Sequence, residues 1–185
     1  MQMGMRERWL EIGLEALWER GTEALRIDGL AERLEVTKGS FYAHFDGKPA
    51  YLTALCEHWR DHAMPIEVDL FYETPGTLPE KLLALARYVD RSERVRYDTA
   101  IRELGKINEC AAEAIESVSR ARLEFSFEVF RRAGFEEAEA RARGHLLSGW
   151  LLASVLIEGK LPDEVAEICQ VLGEGSQARS REFLR

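Results

Sequence analysis

The sequence predicts an all-α fold, and three observations predict it. Apolar residues recur at i, i+3, i+4 and i+7 almost everywhere. No run alternates apolar and polar residues cleanly. Glycine and proline punctuate the periodic stretches. About nine helices follow: three short ones in an N-terminal unit, a fourth that connects, and a larger C-terminal bundle.

Trp9, Ile12, Gly13, Ala16 and Leu17 form the stripe of a first helix over about residues 6–20, which Gly21 stops. Two short helices are expected at about 27–34 and 37–44. Asp46-Gly47 is a turn signal, and Pro49 suits the first turn of a fourth helix. Leu52, Leu55, Cys56, Trp59 and Ala63 line that helix, and Met64-Pro65 is expected to end or kink it. Thr74-Pro75-Gly76-Thr77-Leu78-Pro79 is the clearest break. Beyond it lie segments through Leu82 and Val89, through Ile101 and Leu104, over about 108–133 up to Gly134, over about 136–158, and a last helix through Val165, Ile168, Cys169 and Leu172.

Composition narrows the function. The chain has 185 residues, 46% hydrophobic and 31% charged, as globular chains do. No apolar run approaches the roughly 20 residues of a membrane helix. The charged amphipathic start carries no secretory signal, so a cytoplasmic protein is expected. Cys56, Cys110 and Cys169 are too widely spaced for a disulfide framework or a zinc pattern, and read as small apolar residues. The net charge of −8 argues against a protein that coats nucleic acid non-specifically. Residues 1–60 hold eight Lys/Arg and ten Asp/Glu, so any DNA contact must come from a few cations gathered on one surface.

The informative stretch runs from Leu30 to Phe45. A helix-turn-helix needs a small residue where its helices cross, here Ala31, and apolar contacts, here Leu30, Leu34, Val36 and Phe41. Thr37 is a favoured N-cap. Lys38, Gly39 and Ser40 then open a helix whose start can meet phosphate or base edges. Phe41 and Phe45 read as core. The run Ala31 to Phe45, followed by Lys48, resembles the DNA-binding signature of TetR-family regulators, with the match extending over about residues 9–60.

That resemblance implies a DNA-binding domain over residues 1–47 and a ligand-binding and dimerisation domain over 48–185. It implies DNA-binding roles for Arg26, Thr37, Lys38, Gly39, Ser40, Tyr42, His44 and Lys48, with Arg6 and Arg8 as weaker phosphate candidates. Two positions depart from the pattern. The usual turn glycine is Glu35, in a left-handed position that costs a side chain roughly 1 kcal/mol. The usual Ser/Thr cap of the second helix is Arg26, which loses a cap but offers a cation.

The expected function is that of a homodimeric regulator, a repressor released by a small-molecule effector, bound to palindromic double-stranded DNA. Arg102, Phe127, His145 and Trp150 are candidate pocket residues. Ala142, Gly149, Ala153, Val165, Ile168 and Leu172 are candidate dimer contacts on the last two helices. The alternative is a helical ligand-binding or protein-interaction bundle that does not bind DNA. No catalytic motif, cofactor motif or membrane segment is read. His58 and His62 share a helix face at a metal-ligand spacing, but no third ligand is evident and they read as solvated.

Overall fold

A computed structural model describes residues 3–63, 65–92, 95–154 and 161–175. Among these, all regular structure is helical: α1 Met5–Arg20, α2 Ile27–Arg33, α3 Lys38–Tyr42, α4 Gly47–His62, α5 Pro65–Glu73, α6 Leu78–Arg91, α7 Val95–Gly105, α8 Glu109–Arg132, α9 Glu137–Ala153 and α10 Val165–Gly173, with one 3-10 turn at Thr22–Ala24. The helix not expected is α5. Met64-Pro65 does interrupt the chain, but Pro65 is the first residue of a new helix, where its missing N–H is no loss. The expected extension of α9 over residues 155–158 lies outside the described residues, as does the tail from 176.

Packing divides the chain into two compact units, residues 1–63 with 93–118, and 64–92 with 119–185. This differs from a cut between residues 47 and 48, because α4 and α7 both pack on α1.

In the first unit, α1 buries Trp9, Leu10, Leu14, Ala16 and Leu17. Gly21 (φ 71°) ends it as expected, donating its N–H to the Leu17 carbonyl at 2.9 Å. Its face meets an aromatic cluster around Phe41, which has no exposed surface. Ring centroids lie 5.3 Å from Phe41 to Trp9, 5.3 Å to Tyr51 and 5.2 Å to Phe45. Tilted and edge-on pairs at this range add to the area they bury. Tyr51 on α4 reaches across α1 and donates its hydroxyl to the Trp9 carbonyl at 2.8 Å. That crossing needs Gly13, where a Cβ would sit 1.9 Å from the Tyr51 hydroxyl oxygen. Trp59 donates from Nε1 to the buried Asp98 carboxylate at 3.2 Å, which ties α4 to α7.

His58 corrects an expectation. It is buried, with Nε2 2.8 Å from Glu11 Oε1 on α1, whereas His62 is exposed. The partner stands 47 residues away, so helix spacing could not reveal it.

In the second unit, α5, α6 and α10 pack together with parts of α8 and α9 around Phe71, Leu82, Leu85, Val129, Phe130, Leu147 and Cys169. The Glu80 carboxylate accepts from both the N–H and the hydroxyl of Thr77 at 2.7 and 2.8 Å, fixing the start of α6. These bonds hold Glu80 below the usual carboxylate range. Lys81 is buried and donates to the Phe71 and Tyr72 carbonyls in the last turn of α5, at 3.3 and 3.4 Å. It thereby satisfies carbonyls that the helix end leaves without intrahelical partners. Burial pulls its ammonium below the usual lysine range. Gly144 of α9 lies against the α8 backbone, where a Cβ would sit 3.0 Å from the Phe127 nitrogen.

Two stability predictions follow from the first unit. Gly13→Ala should cost about 2 kcal/mol, overpacking outweighing the better helix propensity of alanine. In a Tyr51→Phe background the same change should cost less, because the oxygen at 1.9 Å is gone and only the ring carbon and Leu55 Cδ1, at 3.0 and 3.1 Å, remain to give way. Urea unfolding of the four proteins measures this coupling, and strictly additive losses would contradict the clash. Glu35→Gly should raise stability by about 1 kcal/mol, because Glu35 adopts φ 57°. A lowered midpoint in thermal unfolding would contradict that.

Candidate nucleic-acid interface

The segment from α2 to the start of α4 folds as a helix-turn-helix. Leu30 and Ala31 are buried on α2. The turn is closed by Glu35 N–H to the Glu32 carbonyl at 3.1 Å and Val36 N–H to the Ala31 carbonyl at 3.0 Å. Glu35 takes the left-handed conformation that its position requires. Arg26 precedes α2 in extended backbone and makes no side-chain cap bond, so the cap is lost as expected.

Phe41 faces inward from α3, and the other side of the segment is open. Thr37, Lys38, Gly39, Tyr42, Ala43 and His44 are all exposed. Tyr42, 61% exposed, stands edge-on to Phe41, with ring centroids 5.3 Å apart. Three details differ from the sequence expectation. Thr37 occupies the N-cap with extended backbone (φ −82°, ψ 158°), yet its hydroxyl makes no cap hydrogen bond. The Ser40 hydroxyl is half-buried and accepts from Trp9 Nε1 at 3.3 Å, so it also positions α3 on α1. The helix ends at Tyr42, and His44 sits in the turn after it, its N–H bonded to the Phe41 carbonyl at 3.0 Å. The tightened i→i+3 bond is a common way for a short helix to end.

The charges sort by face. Arg33 is engaged by Glu15 and Glu19 of α1, at 3.6 and 3.0 Å, and His58 by Glu11. Three of the acidic residues behind the low net charge are therefore committed to α1 contacts. Lys38 pairs with Asp28 of α2, both strongly exposed. Such a surface pair contributes little and exchanges readily for another anion. Arg26 and Lys48 are exposed and enter no ion pair among the described residues. Lys48 stands in the first turn of α4, whose N-cap residue Asp46 makes no side-chain cap bond. The Arg6 guanidinium lies over the Phe45 ring, 5.4 Å from its centroid.

Gly39 has open space around it. A Cβ there would meet only Thr37 Oγ1, at 3.5 Å, an ordinary contact. Nothing inside the chain demands glycine at this exposed position.

The remaining candidates lie elsewhere. Arg102 belongs to the first unit, and Phe127, His145 and Trp150 to the second. Phe127 is covered by the Arg141 guanidinium, 4.4 Å from the ring centroid; Trp150 packs against the second unit's core, and His145 is exposed. On α9, Ala142, Gly149 and Ala153 are exposed, and Leu146 between them is 62% exposed. On α10, Leu172 is buried within its own unit, while Val165 and Ile168 are partly buried against the same core. Among the described residues no group of three or more His, Cys, Asp or Glu is placed to hold a metal ion, and no helix is long and apolar enough to cross a membrane.

The family model for bacterial regulatory proteins of the tetR family matches residues 10–55. No curated protein matches the chain in sequence. Among solved structures, the reduced form of NemR from E. coli superposes with a TM-score of 0.74 at 18% identity, over 94% of this chain and 97% of that one. FadR from Bacillus halodurans, a fatty acid degradation regulator, superposes with a TM-score of 0.67 at 18% identity, over 97% of this chain and 100% of that one. A TetR-family transcriptional regulator from Streptomyces coelicolor gives 0.67 at 20% identity, over 93% and 87%. Over residues 10–55 the chain thus carries the helix-turn-helix unit of the tetR family of bacterial regulatory proteins, and its all-α fold is that of TetR-like regulators.

Proposed function

We propose that the protein is a sequence-specific DNA-binding transcriptional regulator that acts as a homodimer, a repressor released by a small-molecule effector. One observation carries the reading: α3 buries Phe41 completely and turns Thr37, Lys38, Gly39 and Tyr42 outward, within a unit that matches the tetR family. A helix so held can lie in the major groove with its first residues at base edges.

The roles divide by chemistry. Lys38 can leave Asp28 for a base edge or phosphate. Gly39 lets the α3 backbone approach the groove, which accounts for a glycine that internal packing does not require. Ser40 holds α3 through Trp9. Tyr42, Lys48 and Arg26 supply donors for phosphates, which position the protein but carry no sequence information. His44, in the turn after α3, is a further phosphate donor.

The exposed small residues Ala142, Gly149 and Ala153, with Leu146, support a dimer face on α9. Because Leu172 is buried in its own unit, α10 would contribute through Val165, Ile168 and the exposed Val171. Effector binding draws its support from the fold and from the half-buried aromatic residues Phe127 and Trp150 of the second unit. Effector release would act by differential affinity for two dimer geometries.

Fluorescence anisotropy with duplexes from the DNA upstream of the protein's own gene tests the reading. Binding should weaken steeply with salt, and Lys48→Ala should reduce the salt slope by about one. Gly39→Val should leave the thermal midpoint near the parent value while weakening specific binding by about 1–3 kcal/mol. A folded dimer that binds no duplex would sink the proposal and favour a helical bundle without DNA binding. For the dimer face, Leu146→Glu introduces one carboxylate per copy into a two-fold contact. It should weaken association by roughly tenfold or more in sedimentation equilibrium; an unchanged dimer would place the interface elsewhere.

A further inference from the structure

The three cysteines differ in their surroundings. Cys169 is buried in the second unit. Cys56 and Cys110 both belong to the first unit. Cys110, in the first turn of α8, is half-exposed, and its thiol donates to the Thr53 hydroxyl on α4 at 3.7 Å. Thr53 and Cys56 stand three residues apart on α4, on one helix face. The start of α8 therefore sets a reachable thiol beside the stretch of α4 that carries a buried one. Electrostatics report the same neighbourhood. Burial first, then the nearby Cys110 and Glu57, push the Cys56 thiol up to about 12.

We propose that Cys56 and Cys110 are a redox pair, in which Cys110 is the thiol that meets a peroxide and Cys56 the thiol that resolves it as an intrachain disulfide between α4 and α8. The Cys110 sulfur attacks one peroxide oxygen. The O–O bond breaks, the peroxide is reduced to water, and Cys110 becomes a sulfenic acid. The Cys56 sulfur then attacks the Cys110 sulfur, the S–O bond breaks, and the hydroxyl leaves as water with the Cys56 proton. Two electrons pass from the two thiols to one peroxide, and two waters form. A sulfenic acid is neutral, so the repulsion that a Cys110 thiolate exerts on Cys56 ends when the first step is complete. The remaining burial still holds the Cys56 thiol up, which slows resolution. Its rate should climb about tenfold per pH unit, in proportion to the Cys56 thiolate fraction. A disulfide needs the two sulfurs about 2 Å apart.

The cross-link would join α8 to the helix whose first turn bears Lys48. Any effect on duplex affinity rests on the proposed function; the cross-link does not. The test is hydrogen peroxide added to the native full chain, followed by non-reducing intact mass and peptide mapping. The wild type should lose two hydrogens, yield one Cys56–Cys110 peptide and recover fully with dithiothreitol. C56S should stop at a Cys110 sulfenic acid that dimedone traps, and C110S should lose the reaction. Overoxidation of Cys110 in the wild type without a mass loss, a bridge through Cys169, or disulfide-linked dimers would each overturn the proposal. C169S, unable to form the bridge through α10, should react as the wild type does.

Discussion

The N-terminal unit depends on one packing event, the burial of Phe41 between Trp9, Phe45 and Tyr51. A five-residue helix has too few internal hydrogen bonds to persist alone. What holds α3 is the ring at its centre, completely removed from water and surrounded by aromatic edges and faces. The same contact sets orientation. With Phe41 inward, the 3.6-residue period turns Gly39 to the outer side, and the exposed side chains of Lys38 and Tyr42 flank it.

The surrounding hydrogen bonds reinforce that seat from both sides. Trp9 donates from its ring to Ser40 on α3 and accepts at its carbonyl from Tyr51 on α4. One residue of α1 thus fixes both the interface helix α3 and the helix that follows it. Gly13 is the steric condition for this arrangement, because any Cβ would displace the Tyr51 hydroxyl. The energy involved is modest for each bond, about 1 kcal/mol, but the geometric consequence is large. A shift of α1 relative to α4 moves everything that α3 presents.

The acidity of the unit is reconciled with an anionic partner by where the charges stand. Glu11, Glu15 and Glu19 lie along α1 and meet His58 and Arg33. The exposed cations Arg26, Lys38 and Lys48 stand outside α1: before α2, on α3 and on α4. A net count over residues 1–60 averages two surfaces of different character, and recognition depends on the local one.

Much of this was legible in sequence because it is local. Helical period, Gly21 as a stop, Ala31 as a buried small residue, the left-handed demand on Glu35 and the inward placement of Phe41 and Phe45 are all written within a few neighbours of each residue, and the structure agrees with them. The extra helix α5 was hidden because a proline that ends one helix can equally begin the next. What only the tertiary structure decided is the set of pairings across long separations: His58 with Glu11, Trp59 with Asp98, Ser40 with Trp9, Cys110 with Thr53, and the clash that makes Gly13 obligatory. Periodicity tells which side of a helix turns inward, but not which helix it meets or at what depth. Those partners are chosen by how the helices stack, and no spacing along the chain encodes them.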